Sequence, residues 1–424
     1  MDVVATSKVP AWSVTPKTIE VMCALCILAF GAWFSGIGDD EIPLRWVIVS
    51  VILYSIPLIM QSVQQQVLKI YALWFGAFLV LQQVLSPFLK DPDFKTLPSN
   101  MDSQFVVTGS GLPGIQGFQH VTTDSNGFRV IPRVDYEEKK GIRIFAIGGS
   151  TTEQLILDDK STWAFLLQEG LMRNLDVPVE VINTGVSGLR ARHHLATLRH
   201  AVMYRPDVVL FLVGINDWNK DIRVHFGSRG YRTPRQNFRN SLLGNFMSRV
   251  NEWIAESNTG ASATASSPRE QKGEYYTKQN NSLAKADRRK YTPAQVSEEY
   301  IHDLELIAYT CKEQKIICVF ITQPTGYSPL SGEEYRKSFW MTPPNEAYTL
   351  DLDSLTHISK LYNLYLTEFA KRHGFDLIDL ASEVEPSHEH FYDDAHFNTN
   401  GSEHVATILV REVTRIMKNV KSTV

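Results

Sequence analysis

Four short segments of this chain carry residue types that together could perform acyl transfer. In Gly148-Gly149-Ser150-Thr151 an apolar run ends in two glycines and a serine. The others are Asn183-Thr184-Gly185-Val186-Ser187-Gly188, Gly214-Ile215-Asn216-Asp217 and Asp393-Asp394-Ala395-His396. Acyl transfer needs a nucleophile, a base that takes its proton, a group that orients the base, and donors for the oxyanion. A serine at the tip of a buried strand, ahead of a segment that can start a helix, is expected to expose its hydroxyl and keep its N–H free for a developing negative charge. Three of these segments also have a plainer reading. Gly-Gly-Ser is a common strand-to-loop turn, Asn216-Asp217 a common turn pair, and His396 could be a surface histidine like His388 and His390. His396 differs from those two in having an aspartate three residues earlier. Asp394 is expected to be a solvated neighbour. Arg190, Arg192, His193, His194 and Arg199 read as a solvated helix face, with an anionic substrate as the sharper alternative.

The elements that must position these residues follow from hydrophobic periodicity. Short branched and aromatic runs at Ile142–Ile147, Val179–Ile182, Val208–Val213, Ile316–Ile321 and Asp376–Ile378 read as strands. Amphipathic stretches at Ser161–Asn174, Ala191–Tyr204, Ser297–Gln314, Leu355–His373 and Gly401–Lys418 read as helices. Their alternation predicts a parallel sheet with helices on both faces. Ligands of such sheets collect outside the carboxyl ends of the strands. All four candidate segments follow predicted strands.

In this order the four segments resemble the motifs of the SGNH/GDSL hydrolase superfamily, over roughly Gly141 to the C-terminus. The resemblance implies a flavodoxin-like three-layer α/β/α sandwich. It also implies roles: Ser150 as nucleophile, Asp393 and His396 completing a triad, and Ser150, Gly188 and Asn216 forming the oxyanion hole. The family signature is often Gly-Asp-Ser-Leu, whereas this chain has Gly148-Gly149-Ser150-Thr151; the acidic position has no triad role, so the departure reads as a variant. A metal or organic cofactor is not called for by this chemistry.

The first ninety of the 424 residues are different in kind. Ile19 to Ile37 carries no charge after Glu20, and Trp46–Leu68 and Ile70–Leu89 carry none. A bilayer core needs about 20 apolar residues in a helix, so residues 1–90 are expected to form an N-terminal membrane region with about three transmembrane helices. Lys8, Lys17, Arg45 and Lys69 place the N-terminus in the cytoplasm by the positive-inside rule. Three crossings then put the catalytic domain in the periplasm or outside the cell, beside a bacterial inner or plasma membrane. Residues 91–140 read as a lead-in with short strands. Within it Gly109, Gly111 and Gly114 match G-x-G-x-x-G, but no amphipathic helix follows, so the match reads as a glycine-rich loop. Residues 141–424 form the hydrolase domain, with a polar insertion near 257–290.

A formal net charge of −4 and 44% hydrophobic residues describe a folded protein without the basic footprint of a nucleic-acid binder. Cys23 and Cys26 fall in the apolar region, and Cys311 and Cys318 are expected to be buried free thiols rather than a disulfide framework. The chain therefore reads as a membrane-anchored serine esterase acting on an acylated cell-surface carbohydrate or lipid. Two alternatives remain: an O-acyltransferase working beside a membrane acyl-carrier or polysaccharide assembly protein, and a non-catalytic subunit of a membrane assembly.

Overall fold

The computed structural model describes residues 93–107, 112–227, 287–344 and 346–423. The three apolar stretches, Cys23, Cys26, Gly109, Gly111 and residues 257–286 of the polar insertion lie outside the described residues. Among the described residues no helix is long and apolar enough to cross a membrane.

In the lead-in, β1 (Asp102–Val107) pairs antiparallel with β2 (Gly117–Thr122). The chain then runs β3 (Ile142–Gly148), α1 (Ser150–Glu153), α2 (Trp163–Leu175), β4 (Val179–Asn183), α3 (Ala191–Ala201), β5 (Val208–Leu212) and α4 (Ile215–His225). After residue 286 it continues through β6 (Asp287–Arg289), α5 (Glu298–Gln314), β7 (Ile317–Ile321), α6 (Glu333–Arg336), β8 (Tyr348–Leu350) and α7 (Leu352–His373). It closes with β9 (Asp376–Ile378), α8 (Leu380–Glu383) and α9 (Thr399–Thr423). The end of the expected polar insertion is thus a strand, β6, paired in parallel with β8.

The five-stranded parallel sheet has the order β4-β3-β5-β7-β9. Its centre is buried on both faces, which is why β3 and β5 read as continuous apolar runs rather than alternating ones. Helix α2 packs on α9, α3 on α5, and α4 on α7. Right-handed crossovers account for this division, because the step from β3 to β4 runs opposite to every later step and places its helix on the opposite face. The three-layer α/β/α architecture expected from the alternation is therefore present. Register sets Gly148 beside Leu212 and Ala146 beside Asn183, so Ser150, Gly188 and Asn216 all follow strands at one end of the sheet.

Two departures from the sequence reading have simple causes. Cys311 and Cys318 are not free thiols: they form a disulfide with Cα atoms 6.2 Å apart. Helix α5 ends at Lys315 in the left-handed region (φ 55°), and the Ile316 N–H donates to the Cys311 carbonyl at 3.1 Å. This reversal folds the helix end against the start of β7. The other departure is α4, where Asn216 and Asp217 occupy the first turn of a helix rather than a loop.

A buried cation binds the lead-in to the domain. Arg129 forms a two-way backbone bridge with Asn183 at the edge of the sheet. Its guanidinium donates to the Asp159 carboxylate at 2.7 and 3.0 Å and to the carbonyls of Glu153 (2.6 Å), Gln154 (2.8 Å) and Leu157 (2.9 Å). Two of those carbonyls lie at the end of α1, where unsatisfied acceptors need a donor. Removing one partner of a buried pair leaves an uncompensated charge, at a cost of about 3–5 kcal/mol. Arg129→Ala is therefore expected to lower the stability of the catalytic domain by that order, as read by denaturant unfolding. Arg205→Ala, which removes only an exposed contact to the Glu137 carbonyl, serves as the control and should have a small effect.

Candidate active site

Strand β3 ends at Gly148, and Gly149 turns the chain into α1, whose first residue is Ser150. At that position the Ser150 N–H has no intrahelical acceptor. A Cβ at Gly149 would lie 2.5 Å from Asn216 Nδ2, so a side chain there would displace that amide. The Ser150 side chain is less open than the sequence suggests, with the residue only 9% exposed.

His396 meets Ser150 from the far end of the chain. Its Nε2 lies 2.7 Å from Ser150 Oγ, and its Nδ1 lies 2.8 Å from Asp393 Oδ2. Asp393 is wholly buried and its Oδ1 accepts the N–H groups of Ala395 (2.9 Å) and His396 (2.7 Å). With the carboxylate as acceptor, the proton sits on Nδ1, and Nε2 is left to accept from the serine hydroxyl. The Tyr392 ring stacks on the imidazole at 5.4 Å and 7°. Burial alone pushes the His396 pKa down, but the charge and hydrogen bond of Asp393, with Asp394 and Glu153 adding to them, outweigh it and raise it above the ordinary 6.5.

The residues expected to receive an oxyanion are brought together by cross-links between the strand-end loops. Gly188 lies in the left-handed region at φ 80°. Before it, Val186 N–H donates to the Gly148 carbonyl at 3.3 Å; after it, the Leu189 carbonyl accepts from Asn216 Nδ2 at 2.9 Å. One hydrogen of the Asn216 amide is thus engaged, and the second is available to an oxyanion. Asp217 secures the same loop by accepting the Ala191 N–H at 3.1 Å, and burial pushes its carboxyl up to about 7. Ser187 Oγ donates to the buried Glu153 carboxylate, and Asn183 Nδ2 donates to the Thr152 carbonyl at 2.7 Å. All the residues expected to act together, Ser150, Gly188, Asn216, Asp393 and His396, are brought to this end of the sheet.

Other expectations are corrected. Asp394 is not solvated but 1% exposed, held by Tyr327 and the backbone of Trp340 and Met341. His390 is buried as well. Most of the basic start of α3 is not a solvated face either: Arg190 pairs with Glu299, Arg192 with Asp93, and His194 is buried, whereas Arg199 is exposed as expected. Acidic neighbours from other elements commit Arg190 and Arg192 to these pairs. Residues that the sequence reading passes over include Arg129, Glu153, Tyr327 and Tyr335. The signal for Arg129 is its place inside the apolar run Phe128-Arg129-Val130-Ile131, and that for Asp394 is its flank of Phe391, Tyr392, Ala395 and Phe397.

A parallel α/β/α sheet with a hydrogen-bonded serine, histidine and aspartate at its strand ends defines a serine ester hydrolase. The chain belongs to the GDSL-like lipase/acylhydrolase family, whose match covers residues 146–404. Among solved structures it is similar to an acetylxylan esterase from Geobacillus stearothermophilus, at 13% identity over 65% of this chain and 94% of that chain, with a TM-score of 0.37. It is also similar to the lipase/acylhydrolase from Enterococcus faecalis, at 15% identity over 64% of this chain and 95% of that chain, with a TM-score of 0.33. A third similar structure is a psychrotrophic esterase from Pseudoalteromonas sp., at 12% identity over 65% of this chain and 98% of that chain, with a TM-score of 0.34. No curated protein matches the chain.

The geometry makes the pH dependence and the oxyanion donors testable. A general base works only when neutral, so kcat/KM should fall as pH drops through the raised His396 pKa. The midpoint of that acid limb in a pH-rate profile is expected above 6.5. Removing one preorganised oxyanion donor costs about 2.7–4 kcal/mol in the transition state, a loss of roughly 10²–10³ in turnover. Asn216→Ala should lower kcat by that order with much less change in KM; a lowered melting temperature with intact turnover would instead assign Asn216 to holding the Leu189 loop.

Proposed function

We propose that this chain is a membrane-anchored serine esterase that removes O-acyl groups from a cell-surface carbohydrate or lipid, with its catalytic domain on the non-cytoplasmic side of the membrane. The observation that carries the catalytic part is the continuous Ser150–His396–Asp393 relay, closed at 2.7 and 2.8 Å. In the proposed reaction Ser150 Oγ attacks the acyl carbonyl carbon while His396 Nε2 takes the hydroxyl proton. The Ser150 N–H, the Gly188 N–H and Asn216 Nδ2 receive the charge that develops on the carbonyl oxygen. As the tetrahedral intermediate collapses, His396 returns the proton to the departing alcohol and an acyl-serine remains. Water then attacks the acyl-serine, gives its proton to His396, and the acid leaves as the proton returns to Ser150. Asp393 orients the imidazole and offsets its positive charge in both halves.

Support for the anchoring and the compartment comes from separate observations. The uncharged stretches Trp46–Leu68 and Ile70–Leu89, with Ile19 to Ile37 before them, have spanning length. A disulfide between Cys311 and Cys318 fits an oxidising compartment rather than a reducing one.

The test supplies the full-length protein in detergent with an acylated polysaccharide, with and without an unacylated acceptor glycan, and follows the acyl group. Release as free acid, indifferent to the acceptor, is expected. Movement of the acyl group onto the glycan would make the protein an O-acyltransferase using the same residues. Ser150→Ala should abolish both acid release and labelling by a fluorophosphonate; labelling that persists would mean that another serine reacts.

A further inference from the structure

The proposed reaction uses Asp393 and His396 but not Asp394, although Asp394 also accepts from three donors, all of them from a distant segment of the chain. Its Oδ2 accepts the Tyr327 hydroxyl at 2.6 Å, and its Oδ1 accepts the N–H groups of Trp340 (3.2 Å) and Met341 (3.0 Å). The Tyr327 hydroxyl in turn meets Thr342 Oγ1 at 2.5 Å. Two further bonds end on the backbone of the same pair: Gly326 N–H donates to the Asp394 carbonyl at 2.8 Å, and the Tyr335 hydroxyl donates to the Asp393 carbonyl at 2.9 Å. Tyr327, Tyr335 and both aspartates are buried. One segment, residues 326–342, therefore grips two consecutive residues, the first of which holds the imidazole.

A second buried carboxylate beside Asp393 carries a cost. Like charges repel, and a carboxylate removed from water needs several donors to compensate. An apolar residue at 394 would avoid both penalties. The arrangement makes sense when the peptide between the two aspartates must be held in one place, since three donors on a rigid carboxylate fix it more tightly than apolar packing would. We propose that Asp394 is a positioning residue: anchored by the 326–342 segment, it fixes the peptide that carries Asp393 and so sets the reach of His396 to Ser150, a role that rests on the catalytic reading of Ser150 and His396 given above.

The electrostatic surroundings supply a readout that packing alone would not move. Asp393, Asp394 and Glu153 are the charges that bear on His396 and raise its pKa against burial. Those facing Asp394 are Asp393, His396 and the phenols of Tyr327 and Tyr335. Asp394→Asn keeps the shape and removes one negative charge near the imidazole, which should lower the His396 pKa. Tyr327→Phe removes one oxygen from the brace.

The experiment measures hydrolysis of p-nitrophenyl acetate by wild type, Asp394→Asn, Tyr327→Phe and Ser150→Ala, with melting temperatures recorded alongside. Misplacing a reacting group by about 1 Å can cost on the order of 10²-fold in rate, so the first two variants should lose roughly 10–100-fold in kcat with KM little changed. In Asp394→Asn the acid limb of kcat/KM should also move to lower pH. If Asp394→Asn does not fold, Tyr327→Phe carries the test. Folded variants with wild-type kcat and an unmoved acid limb, whether or not their melting temperatures fall, would overturn the inference. Turnover that survives in Ser150→Ala would remove the catalytic reading itself, an outcome distinct from failure of the Asp394 role alone.

Discussion

Asp393 is cut off from water, and much of the site is arranged around that constraint. A buried carboxylate is tolerated only with donors on its oxygens. Two of them, the N–H groups of Ala395 and His396, come from the turn that Asp393 itself begins, and the third is the imidazole Nδ1. The spacing of three residues between aspartate and histidine thus does two jobs. It satisfies the carboxylate locally, and it turns the ring so that Nε2 faces Ser150. Directly after this turn Asn398 accepts the Gly401 N–H at 2.9 Å, opening α9. That helix packs on α2, which follows the nucleophile. Gln154, just beyond α1, donates to Ser402 of α9 at 3.1 Å. Ser150 and His396, the proposed nucleophile and base, 246 residues apart in sequence, are therefore fixed to the same pair of helices.

The opposite wall of the site depends on close backbone approach. Gly149 lets the Asn216 amide come near the nucleophile turn, and Gly185 lies where a Cβ would collide with the Glu153 N–H. Side chains at either place would separate the loops that the proposed oxyanion donors occupy. The compensating order comes from polar cross-links: Asn216 to Leu189, Asp217 to Ala191, Asn183 to Thr152 and Ser187 to Glu153. Preorganised donors act on a transition state because they need no rearrangement when charge develops. These cross-links supply that rigidity on loops that would otherwise move.

The strands and the triad are legible in the sequence because both leave local marks. A buried parallel strand is an unbroken apolar run, so Val208–Leu212 is evident and its boundaries shift by one residue at most. Asp393 and His396 share one turn, so their partnership is visible as spacing. What stays concealed is long-range. Whether Asp394 is solvated depends on Tyr327 and Trp340, more than fifty residues away. Arg190 and Arg192 look exposed until Glu299 and Asp93 are brought beside them. The Cys311–Cys318 bond depends on the reversal at Lys315, whose left-handed backbone no residue type announces. The start of α4 is obscured because its first turn carries Asn216 and Asp217, residues that favour turns when no tertiary contact claims their side chains.

Catalysis by this site requires that the charge formed when Ser150 attacks an acyl carbonyl fall among the donors of the strand-end loops. A crystal structure of the protein after reaction with a monoalkyl fluorophosphonate, a tetrahedral mimic of the intermediate, tests this most directly. It should show phosphorus bonded to Ser150 Oγ, with one phosphoryl oxygen within hydrogen-bond distance of the Ser150 N–H, the Gly188 N–H and Asn216 Nδ2, and His396 Nε2 beside the remaining oxygen. Phosphorus on another side chain, or a phosphoryl oxygen turned away from Gly188 and Asn216 with no donor in reach, would contradict it.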